Sequence, residues 1–369
     1  MRARRLKYPL VAMAMALAAG TLSTASAAAD PDSSPPRPWV KLCLKLKRMP
    51  EHRHIRCKFP PPPRHHSAAR LAAQAQRASI DEIEIPTGPA TAVGIISGPD
   101  DNLWFTENTA NKIGKVTTGG TFTEYSIPTT DSQPAHLAVG SDGAVWFTEA
   151  VGNKIGRITT SGTITEYTLP TSDAYPWGIT AGPDDNLWFV EQLGNKIGKI
   201  TTSGTITEYS LPTSDAYPMR ITAGPDDNLW FTESLTGKIG KITTSGTITE
   251  YSIPSSGALP VGITSGPDGN LWYTDANAKV SNVTTSGTFT EYELEDVNAF
   301  PWGITTGPDD NLWFPEQLGD KVGTITTSGD ITEYALPTSF SGAFDIAEGS
   351  DSNLWVTEDY VDQLAIVTP

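Results

Sequence analysis

Residues 182–211 read Gly182-Pro183-Asp184-Asp185-Asn186-Leu187-Trp188-Phe189-Val190-Glu191-Gln192-Leu193-Gly194-Asn195-Lys196-Ile197-Gly198-Lys199-Ile200-Thr201-Thr202-Ser203-Gly204-Thr205-Ile206-Thr207-Glu208-Tyr209-Ser210-Leu211. Turn chemistry at 182–186 opens the stretch, and an aromatic and β-branched run follows at 187–190. Gly194-Asn195 breaks the chain. Residues 196–201 alternate with period two, Ser203-Gly204 turns, and residues 205–211 alternate again. With the short alternation of Gly178-Ile179-Thr180 ahead of it, the unit holds four short strands, three tight turns and no helical periodicity. The unit recurs. Trp104, Trp146, Trp188, Trp230, Trp272, Trp313 and Trp355 stand at intervals of 42, 42, 42, 42, 41 and 42 residues. Seven four-stranded units of this length predict an all-β chain folded as a seven-bladed β-propeller, in which Trp, Ile and Tyr positions are buried between neighbouring blades.

The last copy, from Phe344-Asp345-Ile346 to 363–368, stops after its third strand. The missing fourth stands ahead of the first copy as Asp81-Glu82-Ile83-Glu84-Ile85-Pro86. The N-terminal strand is therefore expected to complete the last blade, which removes an exposed sheet edge. This gives three parts: a secretory signal at 1–27, a basic proline-rich arm at 28–79, and the propeller at 80–369. The signal has its basic start at Arg2, Arg4, Arg5 and Lys7, an apolar stretch at 10–19, and the small-residue site Ala25-Ser26-Ala27. No later stretch is long enough to span a bilayer. The chain is expected to be exported and monomeric.

Charge divides the chain. Residues 1–80 carry 15 Lys and Arg against 3 Asp and Glu, a net of +12, and the remainder carries 11 against 39, a net of −28. An acidic propeller offers no basic face to neutralise phosphates, which argues against nucleic-acid binding. The arm reads as a linker, as a segment docked on its own propeller, or as a contact to envelope polyanions. In an exported chain, the two cysteines, Cys43 and Cys57, are expected to pair as a disulfide.

The chain has no nucleophile elbow, zinc-protease helix or phosphate loop. The repeated P-D-D-N segments sit where a hairpin turn is required and read as turns rather than calcium loops. The glutamate after each tryptophan phrase (Glu107, Glu149, Glu191, Glu233, Glu316 and Glu358, with Asp275 in the fifth copy) repeats like a blade-to-blade hydrogen bond or ion pair. The positions that differ between copies are more informative for a site. They lead into the innermost strands: Val93, Ala135, Trp177, Met219, Val261, Trp302 and Phe344, then Gly94, His136, Gly178, Arg220, Gly262, Gly303 and Asp345. Tyr175, Tyr217, Phe300 and Phe340 lie in the loops before them. These predict an aromatic mouth with few polar groups, suited to a flat or ring-bearing ligand. The same rings would equally serve to plug the channel.

The phrase P-x-G-I-T-x-G-P-D-x-N-L-W-F-T-E, continued by N-K-I-G-K-I-T-x-x-G-x-I-T-E-Y-x-L-P, resembles the streptogramin B lyase (virginiamycin B lyase) family over all seven copies. The resemblance implies a seven-bladed propeller. For active members it implies magnesium-dependent opening of a type B streptogramin depsipeptide by elimination at the ester, with a histidine handling protons. That family's P-H-x-I phrases in the last two blades correspond here to Pro301-Trp302-Gly303-Ile304 and Ala343-Phe344-Asp345-Ile346. Trp302 and Phe344 stand where the histidines would be, Gly342 where a glutamate would be, and Val93 where an aromatic would be. His136 is the one histidine of residues 80–369.

Three readings follow. In the first, a secreted propeller binds a glycan, peptide or small metabolite through Tyr175, Trp177, Tyr217, Arg220, Phe300, Trp302 and Phe344, without the family's catalytic set. In the second, a magnesium-dependent C–O lyase works through a relocated site, with His136 as base and Asp345, Glu358 and Asp359 on the metal. In the third, the chain is an envelope-tethered interaction scaffold.

Overall fold

The computed structural model describes residues 78–369; the signal, nearly all of the arm and the expected Cys43–Cys57 pair lie outside them. The described residues form seven four-stranded antiparallel sheets. Blades 1 to 6 begin at their innermost strands and span 92–126, 134–168, 176–210, 218–252, 260–293 and 305–335. Blade 7 combines Ala343–Glu348, Leu354–Glu358 and Gln363–Thr368 with the N-terminal strand Ser79–Glu84. That strand pairs antiparallel with the chain's last strand, from Ser79 opposite Thr368 to Glu84 opposite Gln363. The expected closure is thus present, with the closing strand starting two residues earlier than the sequence pattern placed it.

Each repeated residue type has a packing task. The seven tryptophans are at most 1 % exposed. In six blades the indole stacks on the tyrosine of the outermost strand, as Trp146 does on Tyr167 with 5.5 Å between ring centres. Such a pair contributes about 0.5–1.5 kcal/mol beyond its buried area. The indole N–H is donated to the first aspartate of the turn before it, as from Trp188 Nε1 to Asp184 Oδ1 at 2.9 Å. The next residue of that turn, Asp185, takes the left-handed φ of 60° that aspartate tolerates. The P-D-D-N segments are therefore turns, as their pattern implied. On the second strand Phe189 faces Gly198, and a Cβ on Gly198 would clash with the phenyl ring at its Cζ. The pair changes in concert elsewhere: Tyr273 faces Ser281, and Val356 faces Ala365.

Adjacent blades are joined by two further devices. A threonine on the second strand accepts an N–H from its own innermost strand and donates to a carbonyl of the next. Thr148 Oγ1, for example, accepts from His136 N at 3.1 Å and donates to Trp177 O at 2.6 Å. Val190 and Pro315 replace this threonine in blades 3 and 6. Pro315 supplies neither hydroxyl nor N–H, and the innermost strand of blade 6 shrinks to Thr305–Thr306. In the second device, a glutamate of the outermost strand clasps the incoming loop. Glu166 accepts from Thr129 N, Thr129 Oγ1 and Lys154 Nζ, all at 2.8–2.9 Å.

The second device corrects one expectation. The repeated lysines pair with outermost-strand glutamates, as Lys112 does with Glu124 at 2.7 Å. The glutamates that follow each tryptophan phrase are left fully buried and make no ion pair among the described residues. Both carboxylate oxygens of Glu107, Glu149, Glu191, Glu316 and Glu358 lack a hydrogen-bond partner. Burial first, and repulsion from the neighbouring outermost-strand carboxylate second, push each of these five up to about 8. These groups are thereby kept neutral in mild acid.

Candidate functional site

The innermost strands surround the axis, and the seven positions that follow the mouth residues form a ring. Four are glycine because neighbouring strands approach backbone to backbone. A Cβ on Gly94 would meet Ala135 O at 2.5 Å, and one on Gly178 would meet Met219 O at 2.7 Å. The other three are His136, Arg220 and Asp345, from blades 2, 4 and 7. They break the sevenfold repeat, and the fold brings them together. Arg220 Nη2 lies 2.9 Å from Asp345 Oδ1, and His136 Nδ1 lies 3.6 Å from Asp345 Oδ2. Ile95 N of blade 1 also donates to Asp345 Oδ2, at 3.3 Å.

Burial decides the charges in this cluster. Desolvation, reinforced by the Arg220 cation, holds His136 at about 4 and therefore neutral at physiological pH. Burial alone would raise the Asp345 carboxyl, but the Arg220 guanidinium and the His136 contact outweigh it and hold Asp345 below its ordinary value. The cluster is one cation and one anion on the axis, with a neutral imidazole alongside. Both His136 nitrogens, Arg220 Nε and Trp177 Nε1 are buried without a hydrogen-bond partner among the described residues.

Around the cluster the rings make one continuous wall. Tyr175 stacks on Trp177, which meets His136 edge to face at 5.3 Å between ring centres. His136 lies parallel to Phe344, Phe344 stacks on Trp302 at 4.4 Å, and Trp302 touches Phe300. The sequence left two roles for these rings, lining a mouth or plugging the channel, and the buried ones take the second. Trp177, Trp302 and Phe344 are at most 5 % exposed and close the channel as a floor. Tyr217 is also buried, whereas Tyr175 and Phe300 remain half-exposed above the floor, and the Arg220 side chain is 16 % exposed. Tyr175, Tyr217 and Phe300 hold φ angles of 56°, 54° and 53°. That left-handed region disfavours aromatic residues, and Gly342 occupies the equivalent place in blade 7.

The carboxylates expected to hold magnesium do not assemble. Asp345 is engaged by Arg220 and His136. Glu358 is one of the repeated buried glutamates. Asp359, which burial raises well above its ordinary value, accepts from Gln317 Nε2 at 3.4 Å. No group of three or more His, Cys, Asp or Glu side chains able to hold a metal stands together among the described residues. Asp345, Glu358 and Asp359 therefore do not form one shared donor set.

The sequence reading missed a polar link that ties the floor to the loops at the mouth end. Trp302 Nε1 donates to Gln317 Oε1 at 2.8 Å, and Gln317 continues to Asp359. Its signal was available: E-Q-L-G occurs only in blades 3 and 6, which also carry the two P-W-G-I phrases.

Seven four-stranded blades closed by the N-terminal strand define a seven-bladed β-propeller, with a chain-specific polar cluster on its axis. The virginiamycin B lyase family model matches residues 78–367, and the chain belongs to that family. Among solved structures it is similar to virginiamycin B lyase from Staphylococcus aureus. Identity is 40% and the TM-score 0.76, covering 79% of this chain and all of the other. A streptogramin B lyase structure matches at 39% identity and a TM-score of 0.76, covering 79% of this chain and 97% of that one. A catalytically inactive histidine-to-alanine variant of the Staphylococcus aureus lyase, solved with quinupristin, matches at 40% and 0.76, with 79% and 100% covered. Among the described residues no helix is long and apolar enough to cross a membrane.

Proposed function

We propose that this family member is an exported binding protein. It takes a ring-bearing peptide, glycan or small metabolite onto the aromatic floor and does not catalyse the family's elimination. The observation that carries the reading is the placing of aromatic rings on the left-handed backbone of Tyr175, Tyr217 and Phe300. The same left-handed backbone is held by Thr91 and Gln133 at the equivalent places of blades 1 and 2, so the loop fixes the backbone, and what distinguishes blades 3, 4 and 6 is the aromatic ring placed on it at the mouth. Tyr175 and Phe300 supply ring faces, Trp177, Trp302 and Phe344 the floor, and the partly exposed Arg220 a polar contact. Neither Trp302 nor Phe344 can carry a proton at neutral pH. His136, buried and held at about 4, is a weak base. The inactive histidine-to-alanine relative solved with quinupristin supports binding without turnover on this scaffold.

The test is incubation with a type B streptogramin and magnesium, followed by chromatography and mass spectrometry, with calorimetry in parallel. The expected result is an intact substrate; measurable heat would identify the depsipeptide itself as a ligand. A new peak of unchanged mass would mean elimination and overturn the reading. The His136–Asp345 contact favours one second reading, a relocated lyase base. In that case His136→Ala abolishes the new peak; turnover retained in His136→Ala would remove that assignment.

A further inference from the structure

The two ends of the propeller differ. All five large apolar residues that stand exposed among the described residues (Val151, Leu193, Val297, Phe340 and Tyr360) lie on loops at the end where the mouth opens. The opposite end, built from the P-D-D-N and T-T-S-G turns, exposes none. Phe340 is the most informative. It is 60 % exposed and held at φ 58°. The equivalent loop position before blades 2, 3 and 4 carries Asp131, Asp173 and Asp215, at 53°, 54° and 55°. Aspartate tolerates that conformation; phenylalanine loses stability both by the backbone and by its exposure. Tyr360 sits beside it, its N–H bonded to Ser341 O at 3.1 Å.

The charge of this face is one-sided. All eleven Lys and Arg of residues 78–369 are in ion pairs. Asp131, Asp173, Asp215 and Glu295 are exposed and have no ion-pair partner among the described residues. Apolar and acidic groups interleave across the face. Val151 N bonds the loop of Asp131 through Ser132 O, Leu193 N bonds the loop of Asp173 through Ala174 O, and Val297 follows Glu295 by two residues. With no free cation, the face has nothing with which to hold an anionic partner.

We infer that this rim docks a cationic amphipathic peptide, its basic side chains on Asp131, Asp173 and Asp215 and its apolar side chains on Phe340 and Tyr360. The inference uses the rim and none of the channel residues, so it stands or falls separately from the floor reading. The experiment titrates the mature chain with an amidated twelve-residue peptide alternating Lys and Leu. Controls are peptides alternating Glu and Leu or Lys and Ser, and each is followed by fluorescence anisotropy at two salt concentrations. Lys–Leu is expected to bind, with affinity falling as salt rises. Phe340→Asp combined with Tyr360→Ser is expected to cut affinity at least tenfold. Phe340→Asp restores the residue its neighbours use and leaves the ring folded; the charge it adds favours a cationic peptide, so a loss of affinity reads on the lost apolar contact. Tyr175→Gly, which alters the floor, leaves this binding unchanged. Equal binding of Lys–Ser, or affinity unmoved by the rim variants, would reduce the effect to bulk charge and overturn the inference. Equal binding of Glu–Leu would overturn the charge assignment. A dimer in sedimentation that Phe340→Asp dissociates would make a second copy the occupant and overturn it as well.

Discussion

Tyr175 shows how one residue can separate a structural role from a functional one. Its φ of 56° places it where a Cβ costs about 1–2 kcal/mol, which glycine would recover. Against that stand the lost stacking on Trp177, about 0.5–1.5 kcal/mol, and the extra chain entropy of glycine, about 0.5–1 kcal/mol. These nearly cancel. Tyr175→Gly and Phe300→Gly are therefore expected to shift Tm by no more than about 4 °C while removing ligand affinity at the floor. Calorimetry with scanning melts checks both; a large fall in Tm with affinity intact would make the rings packing elements. Trp177→Ala cannot make this distinction. The indole is 5 % exposed, and its removal would cost roughly 3–5 kcal/mol through the cavity it leaves.

Titration gives the blade its own signature. Six buried glutamates are raised in the folded state, Glu233 to about 7 and Glu107, Glu149, Glu191, Glu316 and Glu358 to about 8. A raised carboxyl binds its proton more tightly folded than unfolded. Its contribution is complete below the ordinary value near 4.5 and is lost as pH rises through 8. His136 acts in the opposite sense. Its folded value of about 4 lies below the ordinary 6.5, so its contribution is present above 6.5 and is lost as pH falls toward 4, by about 3 kcal/mol at most. Melting temperature is expected to rise as pH falls from 8.5 toward 5, because six glutamates gain where one histidine loses, and His136 only lowers the slope below 6.5. Glu149→Gln should make the rise shallower and His136→Gln should steepen it below 6.5; slopes unchanged in both variants would refute the assignment. The sequence made the strands and turns of each blade legible because the tryptophan phrase and its flanking turns recur seven times. The partner of the glutamates was not legible. Lys154 is near Glu149 in sequence, yet it bonds Glu166 on the outermost strand, a choice that the register of three strands sets. Nor could sequence show that Trp302 and Phe344 would stack and close the floor, because that depends on how blades 6 and 7 meet.

At the scale of the whole molecule, stability depends on a closure between segments almost at the two ends of the described chain. The strand Ser79–Glu84 contributes a full ladder to the last strand. It also supplies blade 7's copy of the loop clasp: Glu82 accepts from Thr338 N at 2.9 Å and Thr338 Oγ1 at 2.6 Å. One step further on, Asp362 receives Ala90 N and Thr91 N at 2.8 and 2.9 Å, which fastens blade 7 to the entrance of blade 1. Every other clasp joins neighbours that the chain already tethers, whereas Glu82 joins residues 256 positions apart. Loop-closure entropy grows with that separation, so the same two hydrogen bonds oppose a larger loss when the ring opens. Glu82→Ala removes hydrogen bonds to a charged acceptor worth about 1.5–3 kcal/mol each at the upper end. It is expected to lower Tm more than Glu166→Ala does in a Lys154→Met background, where the blade 2 clasp keeps only the same two threonine bonds. It should also raise proteolytic cleavage within 79–91, where the closing strand detaches first. Equal melting shifts for the two variants would mean that the ring does not open at blade 7, and that the N-terminal strand is one sheet edge among seven rather than the lock of the ring.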